Sequence, residues 1–218
     1  MVEFRTSSLA DQVFEKLEND IVQGVYPRGE IITELKLAEQ LGVSRTPIRE
    51  ALRRLEQEHL IEDTGKGSMV LGITEENLID IMDIRIHIEP MASYYATINR
   101  TEKGIAELSH IIDLQDFYCS KHDVEFLRRE DEDFHDAICA MSGRSVIIDT
   151  LLPLHRKTRK HRKLSEKDYE RQQNSLDEHM KIFKAICSGD AELAAKLTAR
   201  HIEQAKNNMI ERLKEKNG

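Results

Sequence analysis

From about residue 75 onward, apolar positions recur at three- and four-residue spacing with few glycines or prolines to interrupt them, which is the period of amphipathic helices. The pattern predicts about six helices, over roughly 75–98, 102–121, 123–141, 145–163, 166–188 and 190–213. Breaks fall at Asn99-Arg100-Thr101, His122, Ser142-Gly143, Leu164-Ser165 and Ser188-Gly189-Asp190. Thr101, Ser165 and Asp190 are suited to cap the helices that follow them, and Gly189 to stop one. Without internal repeats, this stretch reads as an all-α antiparallel bundle.

The first 72 residues are patterned differently. Leu35, Leu37, Ala38 and Leu41 mark a short helix that ends at Gly42-Val43, and a second helix starts at Ser44, which can cap it. Pro47 lies in its first turn, where a missing N–H costs little. Arg45, Arg49 and Arg53 share one face of this helix, while Ile48, Leu52 and Leu55 share another. Taken alone, that layout fits a solvated amphipathic helix as well as one that reads DNA. The flanks add a tight glycine-containing turn before it and a ribbon after it. Leu60-Ile61-Glu62-Asp63 and Ser68-Met69-Val70-Leu71 are strand-like runs around Thr64-Gly65-Lys66-Gly67, a tip carrying one lysine. Helix, turn, helix and a basic-tipped hairpin make a winged helix. The predicted fold is therefore mainly α: a winged helix-turn-helix over 1–72, then the helical domain over 73–218, with a hinge near Gly72-Ile73-Thr74.

Charge complicates this picture. The formal net charge is −8, and residues 1–72 hold nine lysines and arginines against thirteen aspartates and glutamates. Phosphate contact needs a basic patch on one surface, and the helix with the wing supplies a modest one. Few phosphates neutralised per half-site predicts a homodimer on a near-palindromic operator. An apolar content of 39% suffices for ordinary cores, and no apolar run approaches the ~18 residues of a membrane span. Nothing near Met1 resembles a signal peptide. Cys119, Cys139 and Cys187 lack any C-x-x-C spacing and suit a reducing compartment as buried thiols, so the expected location is cytoplasmic.

Candidate chemistry in the helical part lies in Asp131, His135, His179 and His201. Asp131 and His135 are at i and i+4 and share a helix face, a common way to set two ligands beside one metal. His179 precedes Gly189 by ten residues and His201 follows it by twelve. In an antiparallel hairpin both would lie roughly 15–18 Å from the turn, at about 1.5 Å per residue, and could face each other. Each histidine could equally be a hydrogen-bonded core residue. Asp133 competes with Asp131, but at i, i+2 from His135 it points to the other side.

These residues carry two family resemblances. Tyr26-Pro27-Arg28-Gly29-Glu30, the run from Leu37 through Leu52 that includes Gly42-Val43-Ser44-Arg45-Thr46-Pro47-Ile48-Arg49-Glu50, and the wing Gly65-Lys66-Gly67 resemble the GntR family of bacterial transcription regulators over roughly residues 8–72. The resemblance implies that Arg45, Thr46 and Arg49 lie against the operator and that Lys66 and Gly67 reach the adjacent groove. Ser44 and Arg53 complete the candidate DNA-facing set. Leu35 stands where some relatives carry Arg.

Asp131-Glu132-Asp133-Phe134-His135 is similar to the D-x-x-F-H signature of the FCD effector domain carried by GntR regulators of the FadR type. In that domain the Asp and His, with two later histidines about 22 residues apart, bind a divalent metal, and 22 residues separate His179 from His201 here. The resemblance implies Asp131, His135, His179 and His201 as ligands, zinc first with nickel or manganese as alternatives, and a small carboxylate effector at or beside the ion. Arg85, in an R-x-x-x-E pattern with Glu89, is the candidate effector-binding residue; a surface salt bridge between the two is the competing reading. Arg144 stands where the family usually has Asn. The basic run His155 to Lys163 reads first as a solvated helix face, with Arg or Lys side chains lining a pocket for a polyacidic effector, or extra phosphate contacts, as alternatives.

The expected function is a transcriptional regulator, a repressor by preference, with no catalytic residues. A metal-dependent hydrolase-like activity and a purely structural metal are the rivals, the first lacking a clear general base beyond Asp133 or Glu178, both read as surface carboxylates.

Overall fold

The computed structural model describes residues 8–165 and 169–217, with the side chains of 159–169 and 216–217 left aside. The chain divides into two compact units, one ending at Thr74 and the other beginning at Glu75.

The first unit opens with α1 (Leu9–Gln23), held by a capping box: the Ser8 hydroxyl accepts from Asp11 N–H, and the Asp11 carboxylate accepts from Ser8 N–H at 3.1 Å. Its buried face, Val13, Phe14, Leu17 and Ile21, packs with Ile48, Ala51, Leu52 and Leu55 of α3 (Arg45–Gln57). Between them lie β1 (Ile31–Ile32) and α2 (Glu34–Leu41), capped by Thr33. Gly42, at φ +66°, takes the left-handed turn that separates α2 from α3. Arg54 lies over the Phe14 ring at 3.9 Å and pairs with Asp11 at 2.6 Å, tying α3 back to α1.

The wing is β2 (Ile61–Asp63) and β3 (Ser68–Val70), and β1 joins it to give an antiparallel sheet of order β1-β3-β2. Ile31 pairs with Met69, and Ile61 with Val70. A two-residue strand carries no detectable alternation, so β1 was outside the reach of the pattern. Gly67, at φ +145°, backs onto β1: a Cβ there would come within 2.8 Å of Ile31 Cγ2 and of the Ile32 carbonyl. Packing therefore demands a glycine at this wing position whatever it contacts in DNA.

The second unit consists, among the described residues, of α4 (Glu75–Ile98), α5 (Glu102–Ser120), α6 (Val124–Met141), α7 (Ser145–Ser165), α8 (Tyr169–Ser188) and α9 (Ala191–Asn217). Thr101 caps α5 through Gly104 N–H, and Asp190 caps α9 through Leu193 N–H. Ser165 is the last residue of α7, and its expected capping role falls outside the described side chains. The α8–α9 hairpin turns at Gly189, φ +81°, where Gly189 N–H bonds Ile186 O and Asp190 N–H bonds Ala185 O. At the end of α6 Asn99 Nδ2 donates to Ser142 O, and Arg144 lies over Tyr95 at 4.2 Å, which is what this chain does with its departure from the family's Asn.

The core is formed by Leu108, Ile111, Phe134, Ile138, Leu151, Ile182 and Ile186, among others. One face of α4 is nevertheless polar and buried: Arg85, Glu89, Ser93 and Thr97, each four residues apart. Ser93 and Thr198 share a 2.7 Å hydrogen bond, and Thr97 Oγ1 donates to Ser93 O. The cysteines are unpaired; burial, then the charges of Asp136 and Glu89, push the Cys139 thiol up to about 12. No helix among the described residues is long and apolar enough to cross a membrane.

Candidate DNA-reading surface and metal centre

The helix α3 buries Pro47, Ile48, Ala51, Leu52 and Leu55 and leaves Ser44, Arg45, Thr46, Arg49 and Arg53 exposed. The same split of faces that packs it on α1 thus presents three guanidiniums to solvent. Ser44 occupies the N-cap position, but its hydroxyl makes no capping hydrogen bond, contrary to the role expected of it. Lys66 is exposed at the wing tip, where Thr64 and Asp63 close the turn onto Gly67 O and Gly65 N–H.

Glu34, at the start of α2, was not singled out by the sequence. Its carboxylate accepts from Arg45 (Nη2, 2.8 Å) and from Arg49 (Nε, 2.8 Å; Nη2, 3.0 Å), and their hydrogen bonds hold its carboxyl down at about 2. Both arginine forks are therefore aimed by one acid, whose charge also opposes phosphate. Replacing Glu34 with Gln is expected to strengthen binding to random-sequence DNA, steepen the salt dependence by about one unit of slope and narrow the specific-to-nonspecific ratio. Titrations of operator and scrambled DNA at several salt concentrations check this; an unchanged ratio rejects the role.

In the helical unit, α6, α8 and α9 bring His135, His179 and His201 together so that one nitrogen of each lies within 4.8 Å of the others. His179 Nε2 is 3.2 Å from His201 Nε2, which is 3.3 Å from His135 Nε2. The opposite ring nitrogens are all committed to oxygen acceptors. His135 Nδ1 meets Glu89 Oε2 at 2.9 Å, His201 Nδ1 meets Glu178 Oε2 at 2.7 Å, and His179 Nδ1 meets Gln115 Oε1 at 2.9 Å. Gln115 Nε2 donates to Glu130 O, which fixes the amide so that its oxygen faces His179.

Burial works to raise the carboxyls of Glu89 and Glu178, yet their arginine and histidine neighbours hold both below the usual range. Those neighbours are Arg85, His135 and His155 for Glu89, and His201 and Arg171 for Glu178. Both are thus acceptors, so the Nδ1 side of each ring is taken up outward, and with the rings neutral their three Nε2 lone pairs would converge on one point. Such lone pairs repel unless a cation takes them. Nitrogens sharing one ion at about 2.0–2.1 Å sit about 2.8–3.4 Å apart between octahedral and tetrahedral angles, so the 3.2 and 3.3 Å separations fit a divalent metal. The Phe134 ring, stacked on His179 at 4.2 Å between centroids, fixes that imidazole's plane.

Asp131 stands beside this trio, its Oδ1 3.7 Å from His179 Nε2 and outside the tightest group. Asp133 is exposed, as its offset from His135 predicts. Arg85 is 3% exposed and pairs with the equally buried Glu89, so the surface salt bridge offered as an alternative is instead an interior one. Glu178, also read as a surface carboxylate, is half-buried against His201 and Arg171. The solvated-face reading of the basic run fails at its start. His155 is buried between Asp136 (2.6 Å) and Glu89 (3.1 Å), and Thr158 is buried against Arg85. Side chains 159–163 of that run lie outside the described residues. Of the missed participants, Glu89, Gln115, His155 and Glu178, the first left a faint signal: Arg85, Glu89, Ser93 and Thr97 are polar residues spaced at four along α4.

A cavity of about 120 Å³ opens on the trio. One water needs about 10–15 Å³, so it has room for a small organic molecule. Asp131, Arg85, Arg128 and Arg171 line it together with Thr158, Ser175 and Asn208, and Met82, Leu176 and Met209 supply its apolar wall.

Two family models match the chain: the FCD domain over residues 80–204, and bacterial regulatory proteins of the gntR family over residues 9–70. The chain is 29% identical over 191 residues to the gluconate operon transcriptional repressor of Bacillus licheniformis, covering 83% of this chain and 76% of that protein. It is also 29% identical over 184 residues to the Nta operon transcriptional regulator of Aminobacter aminovorans, covering 84% and 86%. Among solved structures, McbR/YncC of E. coli superposes with a TM-score of 0.79 at 24% identity, covering 98% of this chain and all of that one, a likeness of fold.

Proposed function

Since the chain belongs to the gntR family of bacterial regulatory proteins and carries an FCD domain, it is a DNA-binding transcriptional regulator and not an enzyme, and we propose that it is a repressor released by a small carboxylate. In this reading Ser44, Arg45, Thr46, Arg49, Arg53, Lys66 and Gly67 meet the operator. His135, His179 and His201 hold a divalent ion, zinc by preference over nickel or manganese, with Asp131 as the fourth ligand. The acid binds beside the ion with Arg85. The protein acts in the cytoplasm as a homodimer on a near-palindromic site. When bound, the ion supplies a Lewis-acidic anchor for a carboxylate oxygen.

The observation that carries this reading is the convergence of three imidazole nitrogens at the floor of an arginine-lined cavity. One relative is named for a gluconate operon, and gluconate is itself a carboxylate. Acid can act on DNA binding only by favouring one arrangement of the protein over the other. Metal analysis with thermal melts in acetate, lactate, gluconate and citrate tests the reading. Wild type is expected to purify with or take up close to one ion per chain, His179→Ala to lose it, and at least one acid to raise the melting temperature only when metal is present and to weaken operator binding. Metal dependence with no response to any acid would make the ion a structural staple and reject the effector reading.

A further inference from the structure

Two of the three imidazoles are backed by the same construction. Glu89 accepts His135 Nδ1–H through Oε2 (2.9 Å), and its Oε1 takes Arg85 Nε (2.5 Å). Glu178 accepts His201 Nδ1–H through Oε2 (2.7 Å), while Arg171 grips both of its oxygens at 2.9 and 3.1 Å. Arg85 and Arg171 each line the cavity; the two glutamates do not. His179 differs, because its acceptor is the neutral Gln115 amide.

A carboxylate behind an imidazole makes the ring a better electron donor to a metal, and a guanidinium bonded to that carboxylate draws the charge back. A positive charge close to the site also repels a divalent ion, strongly where water is excluded. An anion entering the cavity and taking guanidinium N–H groups for itself relieves both effects. The two pairs are not equally free to respond. The Arg85 and Glu89 side chains are 3% and 5% exposed, and each has a further interior partner: His155 on the same Glu89 Oε1, and Thr158 on Arg85 Nη1. Arg171 and Glu178 are 14% and 18% exposed, and Arg171 lines the cavity.

We propose that Arg85–Glu89–His135 and Arg171–Glu178–His201 are relays through which a carboxylate in the cavity tightens the metal, with Glu89 and Glu178 as positioning residues and Arg171 as the member that moves. The relays rest on the reading that the three histidines hold a divalent ion. By reciprocity the metal raises the affinity for the acid by the same factor, so the chain responds to the pair rather than to either alone.

The test measures zinc affinity of the full chain by competition with a chelator, with and without acetate as the probe carboxylate. Glu178→Gln is expected to weaken zinc by about 10–100-fold. Arg171→Gln is expected to tighten it by roughly threefold to tenfold, because the Glu178 charge is then uncompensated. Arg171→Lys, which keeps the charge and loses the fork, should fall between Arg171→Gln and wild type. Acetate should tighten zinc in wild type and do so less in Arg171→Gln. A merely structural pair would weaken zinc in both variants. Zinc bound no more tightly by Arg171→Gln overturns the proposal, as does an acetate effect of equal size, zero included, in both chains. Metal-free melts identify a variant that is misfolded; Arg171→Lys then carries the comparison. Absence of zinc binding by wild type would remove the metal reading itself, whereas normal wild-type binding with unaltered variants removes only the relays.

Discussion

Replacing Glu89 with alanine should destabilise the helical unit by about 3–5 kcal/mol, because it strips the shared acceptor from a buried cluster. Glu89 accepts from Arg85 at 2.5 Å, from His155 at 3.1 Å and from His135 at 2.9 Å, and its exposure is 4%. Neither Arg85 nor His155 can turn to water, at 3% exposure each. At about 2–4 °C per kcal/mol for a unit of this size, melting of the metal-free protein should fall by roughly 6–20 °C. Glu89→Gln keeps an acceptor oxygen and should lose less.

The penalty is also pH-dependent. Arg85 and the two histidines outweigh burial and hold the folded Glu89 carboxyl well below its ordinary 4.5. Its contribution is fully present above that ordinary value and is lost as the pH falls through the lower folded value. The gap in melting temperature between wild type and Glu89→Gln should therefore be widest near neutral pH and narrow in strong acid. A loss below about 1 kcal/mol for Glu89→Ala at neutral pH would show that the cluster relaxes onto other acceptors.

The second large effect is expected at α3. Arg45→Ala with Arg49→Ala should lower operator affinity by roughly 30-fold to 10⁴-fold, taking about 1–3 kcal/mol per copy for the lost base readout and two copies on the site. Folding should be nearly untouched, since both side chains are largely exposed, at 60% and 66%, and their bonds among the described residues are to Glu34. The same double variant should bind scrambled DNA only modestly less well than wild type. Fluorescence anisotropy with both DNAs measures the two losses. Equal losses on operator and scrambled sequence would reduce these arginines to phosphate contacts, and operator binding within threefold of wild type would move the reading surface elsewhere.

Much of the fold was legible because it is written in local periodicity. The apolar stripe of Ile48, Leu52 and Leu55 fixes which way α3 faces, and the exposed arginines follow from it without any knowledge of the partner helix. Thr101 and Asp190 announce helix starts by hydrogen bonds made within three residues. Even the approach of His179 to His201 follows from counting turns on either side of Gly189. Strand β1 was not legible, since two residues show no alternation, and neither was the hydroxyl of Ser44, which can cap and does not.

What the sequence determined by itself is therefore the set of elements, their buried faces, the resemblance to a two-part regulator and the short list of ligand-type side chains. Tertiary structure alone decided how those side chains are used. Arg85 with Glu89 at i+4 is the same sequence pattern whether it lies in water or in a core, and only packing of α4 against its neighbours made it an interior pair. Glu178 and His155 looked like surface groups because their partners, His201, Asp136 and Glu89, are 19 to 66 residues away in the chain. Hydrogen bonds between distant helices leave no periodic trace in either one. Periodicity reports which side of a helix is buried; what a polar group meets once buried is set by the helices packed against it.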